Sequence, residues 1–353
     1  MVLDRLLADA PRVPLATLPT PLHPLVRLTR ALGGPELWVK RDDLTGLAGG
    51  GNKTRKLEFV VGDALRVDAD TLVTVGAIQS NHTRQTAAAA ARSGLGCALL
   101  HNGWAPDAGP SYRRTGNILL SELLGARLYH DPTPRPVDDA GRLDDLARHL
   151  RQHGHRPYVI PAGASDHPLG GYGYAACAAE ITAQAQELGV TFDRVVHCTS
   201  SGSTQAGLLA GFAALGVDTP VTGISDDDEC DGKRKLVLRL ANATLDALGL
   251  PQRVADSQVE VVVADSSPYG VASQATLEVI RLLARTEGLI ADPVYEGRTI
   301  RGLIDLVAGG ALGPGERVLV LHLGGIPAVH GYADQLSQHG LAHLPFATKA
   351  AHR

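Results

Sequence analysis

A chain of 353 residues, 44% hydrophobic and 20% charged, has apolar side chain enough for two domains or one large α/β unit, which excludes wholesale disorder. A formal net charge of -4 with no Lys/Arg-rich block argues against nucleic acid and against an anionic membrane surface as partners. Cys97, Cys177, Cys198 and Cys230 are scattered without a CxxC pair, so neither a disulfide framework nor a cysteine-rich zinc site is suggested, and a reducing compartment fits best.

The N-terminal "MVLDRLLADAPRVPLATLPTPLHPL" carries early acids and prolines where a secretory leader has a basic start and an apolar run. No stretch approaches the length of a membrane span, and the expectation is a soluble cytoplasmic protein. Next comes "GLAGGGNKTRKLE", residues 46–58, which has the ingredients of a phosphate loop. Its spelling is wrong for one, because Asn52 separates the last glycine from Lys53 and Thr54. The basic "KTRK" opens a helix at the end where positive charge is disfavoured, and so asks for a local anion.

"TLVTVGA" (71–77) predicts a buried strand, and "SNHTRQTAAAAARSGL" a helix capped by Ser80 or Asn81 with its alanines packed close to a sheet. "CALLHN" predicts the next strand. "DPTPRPVDDAG" (131–141) reads as an exposed loop, and His153 with His155 as exposed residues, since no HExxH supports a zinc hydrolase. "RPYVIPAG" (156–163), "RVVHCTS" (194–200), "PVTGIS" (220–225) and "RVLVLHLGG" (317–325) repeat the strand pattern, each ending in small or polar residues. Alternation with Ala/Leu-rich helical stretches predicts an α/β fold of parallel strands with crossover helices. In such sheets ligands lie beyond the carboxyl ends of the strands. "SDDDE" within "GISDDDECDGKRK" reads as a solvated acidic loop, and the terminal "ATKAAHR" as a frayed tail.

After the strand at 194–200, Ser200, Ser201, Gly202, Ser203 and Thr204 open a helix with hydroxyls and backbone N–H groups, an arrangement that cradles an anion or merely caps the helix. No lysine accompanies the turn, which suits a single phosphate held as a handle. Lys53 is then free to act as an amine. A lysine opposite a one-phosphate site is the requirement of pyridoxal phosphate, which needs a Schiff-base partner and a phosphate anchor.

These stretches, with "LPTPLHPL", "LWVKRDDLTGLAGGGNKTRKLE", "GAIQSNHTRQTAA", "NGW", "IPAGASDHPLGGYGY", "ARTEGLIADPVYEG" and "LHLGGIPA", resemble in order and spacing the 1-aminocyclopropane-1-carboxylate deaminase and D-cysteine desulfhydrase family of fold type II pyridoxal phosphate enzymes. The resemblance covers most of the chain. It implies two open, twisted, mostly parallel sheets with flanking helices, and the cofactor in an interdomain cleft. The large domain would be discontinuous, 1–56 plus 165–353, and the small one 57–164; a homodimer acting on a small amino acid, with no metal, is the family habit.

By the same resemblance Lys53 bonds to the cofactor and Asn81 contacts its phenolic oxygen. Ser200, Ser201, Gly202, Ser203 and Thr204 hold the phosphate with help from Lys56. Glu296 faces the pyridine nitrogen and Leu323 lies near the ring. Ser80, Asn81, His82, Trp104 and Tyr295 surround the substrate, with Ser80, Tyr269 and Tyr295 as acid, base or nucleophile. Glu296 and Leu323 favour the deaminase branch over β-elimination from D-cysteine to pyruvate, ammonia and sulfide. The cyclopropane substrate has no α-hydrogen, so a further nucleophile or base is required, and a tyrosine qualifies if cationic surroundings lower its pKa. Departures from the deaminase pattern are "GISDDDECDGKRK", "SSPYG" and Gly49, the last expected to enlarge the site beside the lysine. If the acidic segment lines the pocket, it disfavours anionic substrate tails.

Overall fold

In the computed structural model of the chain, residues 2–106, 108–133, 140–227 and 229–337 are described. Residues 134–139, the centre of the expected loop, and the expected C-terminal tail lie outside them. The strands are β1 (Leu22–Pro24), β2 (Glu36–Arg41), β3 (Thr71–Ala77), β4 (Gly96–Asn102), β5 (Arg127–Asp131), β6 (Pro157–Val159), β7 (Arg194–Thr199), β8 (Val221–Ser225), β9 (Val259–Val263) and β10 (Arg317–His322). The helices are α1 (Val2–Ala8), α2 (Val26–Leu32), α3 (Lys53–Arg66), α4 (Asn81–Ser93), α5 (Asn117–Leu123), α6 (Ala140–Gln152), α7 (Tyr172–Leu188), α8 (Ser203–Leu215), α9 (Asp231–Ala247), α10 (Gln274–Glu287), α11 (Glu296–Ala308), α12 (Ile326–Gly331) and α13 (Ala333–Leu336).

One sheet runs β1-β2-β10-β7-β8-β9, parallel except for β1 against β2; the other runs β5-β4-β3-β6 and is parallel throughout. Helices cover both faces, so the strands read as continuous apolar runs. Within them the side chains still alternate. Val195, Leu319 and Leu321 face α7, α8 and α9, whereas Val196, Val318 and Val320 pack with α2, α10 and α11. In the smaller sheet Leu72 and Leu99 meet Ala87, Ala89 and Ala90 of α4, the close packing for which the alanine run is suited. Strands β1, β2, β5 and β9 did not stand out in the sequence. The strand expected at 156–163 is shorter, because Ala162–Ala164 turns into a 3-10 helix.

A buried ion network ties the N-terminal part of the chain to α7. The Arg55 guanidinium donates to Asp42 (2.8 and 2.9 Å), to both Glu180 oxygens (2.9 and 3.0 Å) and to Thr20 Oγ1 (3.0 Å). Lys40 donates to Glu180, to Thr20 O and to Gln184, and the Tyr174 hydroxyl donates to Asp42 (2.7 Å). The anion that the basic start of α3 asks for is therefore in part internal: Asp42 and Glu180 answer Arg55. Burial alone would raise both carboxyl pKa values, but Arg55 together with Lys40, and Tyr174 at Asp42, outweighs it and holds each below its ordinary value. Among the described residues no helix is long and apolar enough to cross a membrane.

Removing one partner strands the others in a low-dielectric interior. Arg55→Gln is expected to lose about 3–5 kcal/mol in urea unfolding. Because the folded pKa values are depressed, the network's stabilisation is complete above the ordinary values of 3.8 and 4.5 and is lost as pH falls through the lower folded ones. The melting temperature of the wild type should fall across that acid window, and that of Arg55→Gln should fall less.

Candidate active site

The turn before α3 is built so that Lys53 sits where the two sheets meet. Gly50 has φ +68°, and a Cβ there would lie 1.9 Å from the Asp43 carbonyl oxygen, so glycine alone fits. Thr45 Oγ1 accepts the Gly51 N–H (2.8 Å) and donates to Gly51 O (2.9 Å). The Asn52 N–H donates to Leu323 O just beyond β10 (2.8 Å), and the Thr54 N–H donates to Gln85 Oε1 of α4 (2.9 Å). Lys53 lines a cleft of about 820 Å³ at the carboxyl ends of β3, β7, β8 and β10. Burial lowers its pKa against the pull of Cys198, Lys56 and Asp226. Lys56 is lowered further, by burial and then by Lys53, and it donates to Ser203 Oγ (2.7 Å).

Across the cleft, residues 200–202 connect β7 to α8, whose first turn begins with Ser203 and Thr204. Gly202 precedes the first turn at φ +86°, no side chain caps that end, and no acid stands in the first turn. Thr204 Oγ1 accepts from Asn52 Nδ2 (3.3 Å), and Ser165 Oγ lies 2.6 Å from Ser201 Oγ and 2.8 Å from Ser203 Oγ. The result is a hydroxyl-rich pocket at the positive end of a 13-residue helix.

The third wall is the start of α11. Asp292 accepts N–H bonds from Val294 (2.8 Å), Tyr295 (2.9 Å) and Glu296 (3.2 Å), which aims that turn into the cleft. Glu296 is 2% exposed, and its Oε1 has no partner in the protein. Burial, then Asp292, pushes its pKa well up despite the Leu323 N–H. His322 offers no counter-charge: Nδ1 accepts from the Gly324 N–H (3.3 Å), Nε2 faces Ile290 O (3.1 Å), and burial lowers its pKa.

Beside Glu296 the Tyr269 and Tyr295 hydroxyls hydrogen-bond to each other, their rings edge to face at 6.0 Å, and Trp104 leans on Tyr269. Both phenols have raised pKa values, from burial first, with Asp226 and Asp292 adding to it. The expectation of a tyrosine lowered by cationic surroundings is corrected: the neighbouring charges are carboxylates. Arg298 of α11 holds this wall together by donating to the carbonyls of Asp226, Asp265 (3.3 Å), Ser267 (3.0 Å), Pro268 (3.0 Å) and Val271 (2.7 Å).

Ser80 accepts the Thr83 N–H as the cap of α4 (3.3 Å) and also lines the cleft, as do Asn81, His82 and Trp104. Lys53, Ser200, Ser201, Gly202, Thr204, Tyr269, Tyr295, Glu296 and Leu323 complete the predicted set on its surface, while Lys56 and Ser203 stand behind it. Two further expectations fail. The acidic segment is not simply solvated: Asp226 is 2% exposed, lines the cleft with Asp227, and is paired with Lys233. Lys233 also takes Asp227 at 2.6 Å, so one ammonium is shared by two carboxylates and the wall stays net negative. Gly49 is exposed and faces Pro327 at 3.3 Å instead of the cleft, so its lack of a side chain does not enlarge the site. The sequence reading missed Asn52, Ser165 and Asp292, although each lies in a motif it quoted. Among the described residues no cluster of His, Cys, Asp or Glu is placed to hold a metal ion.

A lysine at position 298 has three donors for five carbonyls. Arg298→Lys is expected to cost about 2–6 kcal/mol, read by urea unfolding, and to change the near-ultraviolet circular dichroism of the tyrosine pair.

Comparison with known proteins adds an independent finding. The family model described as pyridoxal-phosphate dependent enzyme matches residues 13–324. A 1-aminocyclopropane-1-carboxylate deaminase of Burkholderia vietnamiensis is 46% identical over 327 residues, which cover 92% of this chain and 97% of that one. The deaminase of Mesorhizobium japonicum is 46% identical over 330 residues, covering 91% and 96%. A crystal structure described as an ACC deaminase homologue superposes with a TM-score of 0.85 at 35% identity, over 95% of this chain and 98% of that one.

Proposed function

The chain belongs to the pyridoxal-phosphate dependent enzyme family, and we infer that its cleft binds pyridoxal 5'-phosphate and deaminates 1-aminocyclopropane-1-carboxylate to 2-oxobutanoate and ammonia. The similarity to deaminases along nearly the whole chain supports the substrate. The observation that carries the cofactor is Glu296, a buried carboxyl with an unpartnered oxygen and a raised proton affinity, opposite an amine and an open helix N-terminus. A basic ring nitrogen satisfies Glu296, a phosphate satisfies residues 200–204, and the amine of Lys53 meets an aldehyde. These residues fit the group.

When bound, pyridoxal phosphate supplies an electron sink joined to the substrate nitrogen. In the proposed arrangement Ser200, Ser201, Gly202, Ser203 and Thr204 bind the phosphate, and Lys56 orients Ser203. Glu296 holds the proton at the ring nitrogen, which a hydroxyl at that position would hold less firmly. Leu323 packs against the ring and Asn81 turns its side chain to the ring oxygen. Ser80, Asn81, His82 and Trp104 border the substrate. Lys53, whose pKa burial lowers, takes a proton from the ring methylene, since the substrate has no α-hydrogen to offer. The raised pKa values of Tyr269 and Tyr295 keep both phenols protonated near neutrality, so the pair serves as proton donor to the opened carbon chain and not as an anionic nucleophile. The reading includes a cytoplasmic homodimer; the exposed Leu119 and Leu123 of α5 and Ile326 of α12 support an interface on that face.

With added cofactor, the purified protein should release 2-oxobutanoate from aminocyclopropane carboxylate. Sulfide and pyruvate from D-cysteine with no 2-oxobutanoate would instead assign the β-elimination branch. Lys53→Ala should abolish the visible absorbance of the loaded protein and leave the fold intact. Tyr295→Phe is expected to lower kcat by about 10²–10⁴ with a smaller change in KM.

A further inference from the structure

Two buried residues outside the cleft lining decide which way Asn81 points. Arg84 of α4 is fully buried, and its guanidinium is a donor only. Its Nη1 donates to the carbonyls of Ala48 (3.0 Å) and Gly50 (2.7 Å) in the glycine turn, and its Nε donates to the side chain of Asn117 (3.1 Å). The atom of Asn117 that meets Arg84 must therefore be Oδ1. That leaves Nδ2 on the other side, where it donates to Gln79 O (3.0 Å) and to Asn81 (3.0 Å). The atom of Asn81 that receives it must be Oδ1.

A second chain of donors leads to the same assignment for the backbone. Gln79 Nε2 is taken by the carbonyls of Tyr112 (2.5 Å) and Thr115 (2.8 Å), so its Oε1 accepts the Asn117 N–H (2.9 Å) and fixes the start of α5. Gln85 Oε1 is taken by the Thr54 N–H, so its Nε2 donates to Asn81 O (3.0 Å). None of these amides has the option of reversing, because each assignment begins at a group of fixed role: the Arg84 guanidinium and the Thr54 N–H only donate, and the Tyr112 and Thr115 carbonyls only accept.

We propose that Arg84 and Asn117 are positioning residues that lock the Asn81 amide with its NH2 toward the cleft, as a donor to an anionic oxygen on the bound cofactor ring. The inference rests on the assignment of Asn81 to the ring oxygen made above. It adds a coupling: the same guanidinium that sets the amide also holds the glycine turn that carries Lys53, so the amine and the ring-oxygen donor are registered to one another.

The test is Asn117→Asp, nearly isosteric but acceptor-only. It satisfies Arg84 and forces Asn81 to turn its NH2 away from the cleft. The expected result is a tenfold or greater rise in the dissociation constant of pyridoxal 5'-phosphate, the scale of one hydrogen bond to a charged oxygen, with a shifted pH midpoint of the loaded protein's visible absorbance. In an Asn81→Ala background the same substitution should change neither, because the two residues act as one unit. Losses that multiply in the double variant, or an unmoved midpoint together with a lowered melting temperature, would overturn the proposal and leave Asn117 a packing residue. If Asn81→Ala alone alters neither affinity nor midpoint, the assignment of Asn81 itself falls, and the inference with it. Should Asn117→Asp not fold, Asn117→Ala removes the donor without adding charge; a shift of the midpoint in the same direction supports the proposal, and none overturns it.

Discussion

The guanidinium of Arg55 between Asp42 and Glu180 is the constraint on which the rest of the molecule rests. It sits two residues beyond Lys53 on α3 and joins the segment after β2, the first turn of α3 and the middle of α7. A helix that opens Lys-Thr-Arg-Lys places positive charge at its positive end, an arrangement that is unstable in isolation. Burying the arginine against two carboxylates converts that liability into an anchor. Lys53 and Lys56 are left without such carboxylate partners, and burial lowers the pKa of both.

The cleft is assembled by topology. Parallel strands end on one side, so β7, β8 and β10 deliver the seryl turn, the Asp226 wall and Leu323 to the same place, and β3 of the other sheet delivers Ser80 and Asn81. Charges are segregated inside it. Lys53 lies near the open end of α8, while Glu296 and Asp292 lie at the start of α11, where burial raises the proton affinity of both and Asp292 raises that of Glu296 further. An electron-poor ring with a phosphate at one edge and a basic nitrogen at the other matches that polarity from end to end. The tyrosine pair is buried on the acidic side, and burial first, with Asp226 and Asp292 adding to it, keeps protons on both hydroxyls.

Much of this was legible because the signals are local. A strand that ends in Ser-Ser-Gly-Ser-Thr before a helix needs no tertiary knowledge to be read as an anion cradle, and the glycines before Lys53 announce a turn no other residue can make. The misreadings came from properties that are not local. "SDDDE" looks solvated until Lys233, in the first turn of α9, folds back to pair with both Asp226 and Asp227. Gly49 seemed to border the lysine through sequence proximity, but the reversal at Gly50 turns it to the opposite side. Strands β2 and β9 were overlooked because β2 carries the buried Lys40 and β9 carries a glutamate, and both are explained only by partners elsewhere in the fold.

By itself the sequence determined the class of fold, a lysine after a glycine turn and a hydroxyl-rich start of a helix, because each is spelled by a short run whose backbone geometry follows from its own residues; the acid at position 296 was marked by resemblance to a family and not by local geometry. Only the tertiary structure decided the raised pKa values of the tyrosines, the pairing of Asp226 and Asp227 with Lys233 and the hydrogen-bond roles of the Asn81 amide. Those depend on dielectric, on charges brought from distant segments and on which atoms are already committed as donors, and no run of consecutive residues encodes them.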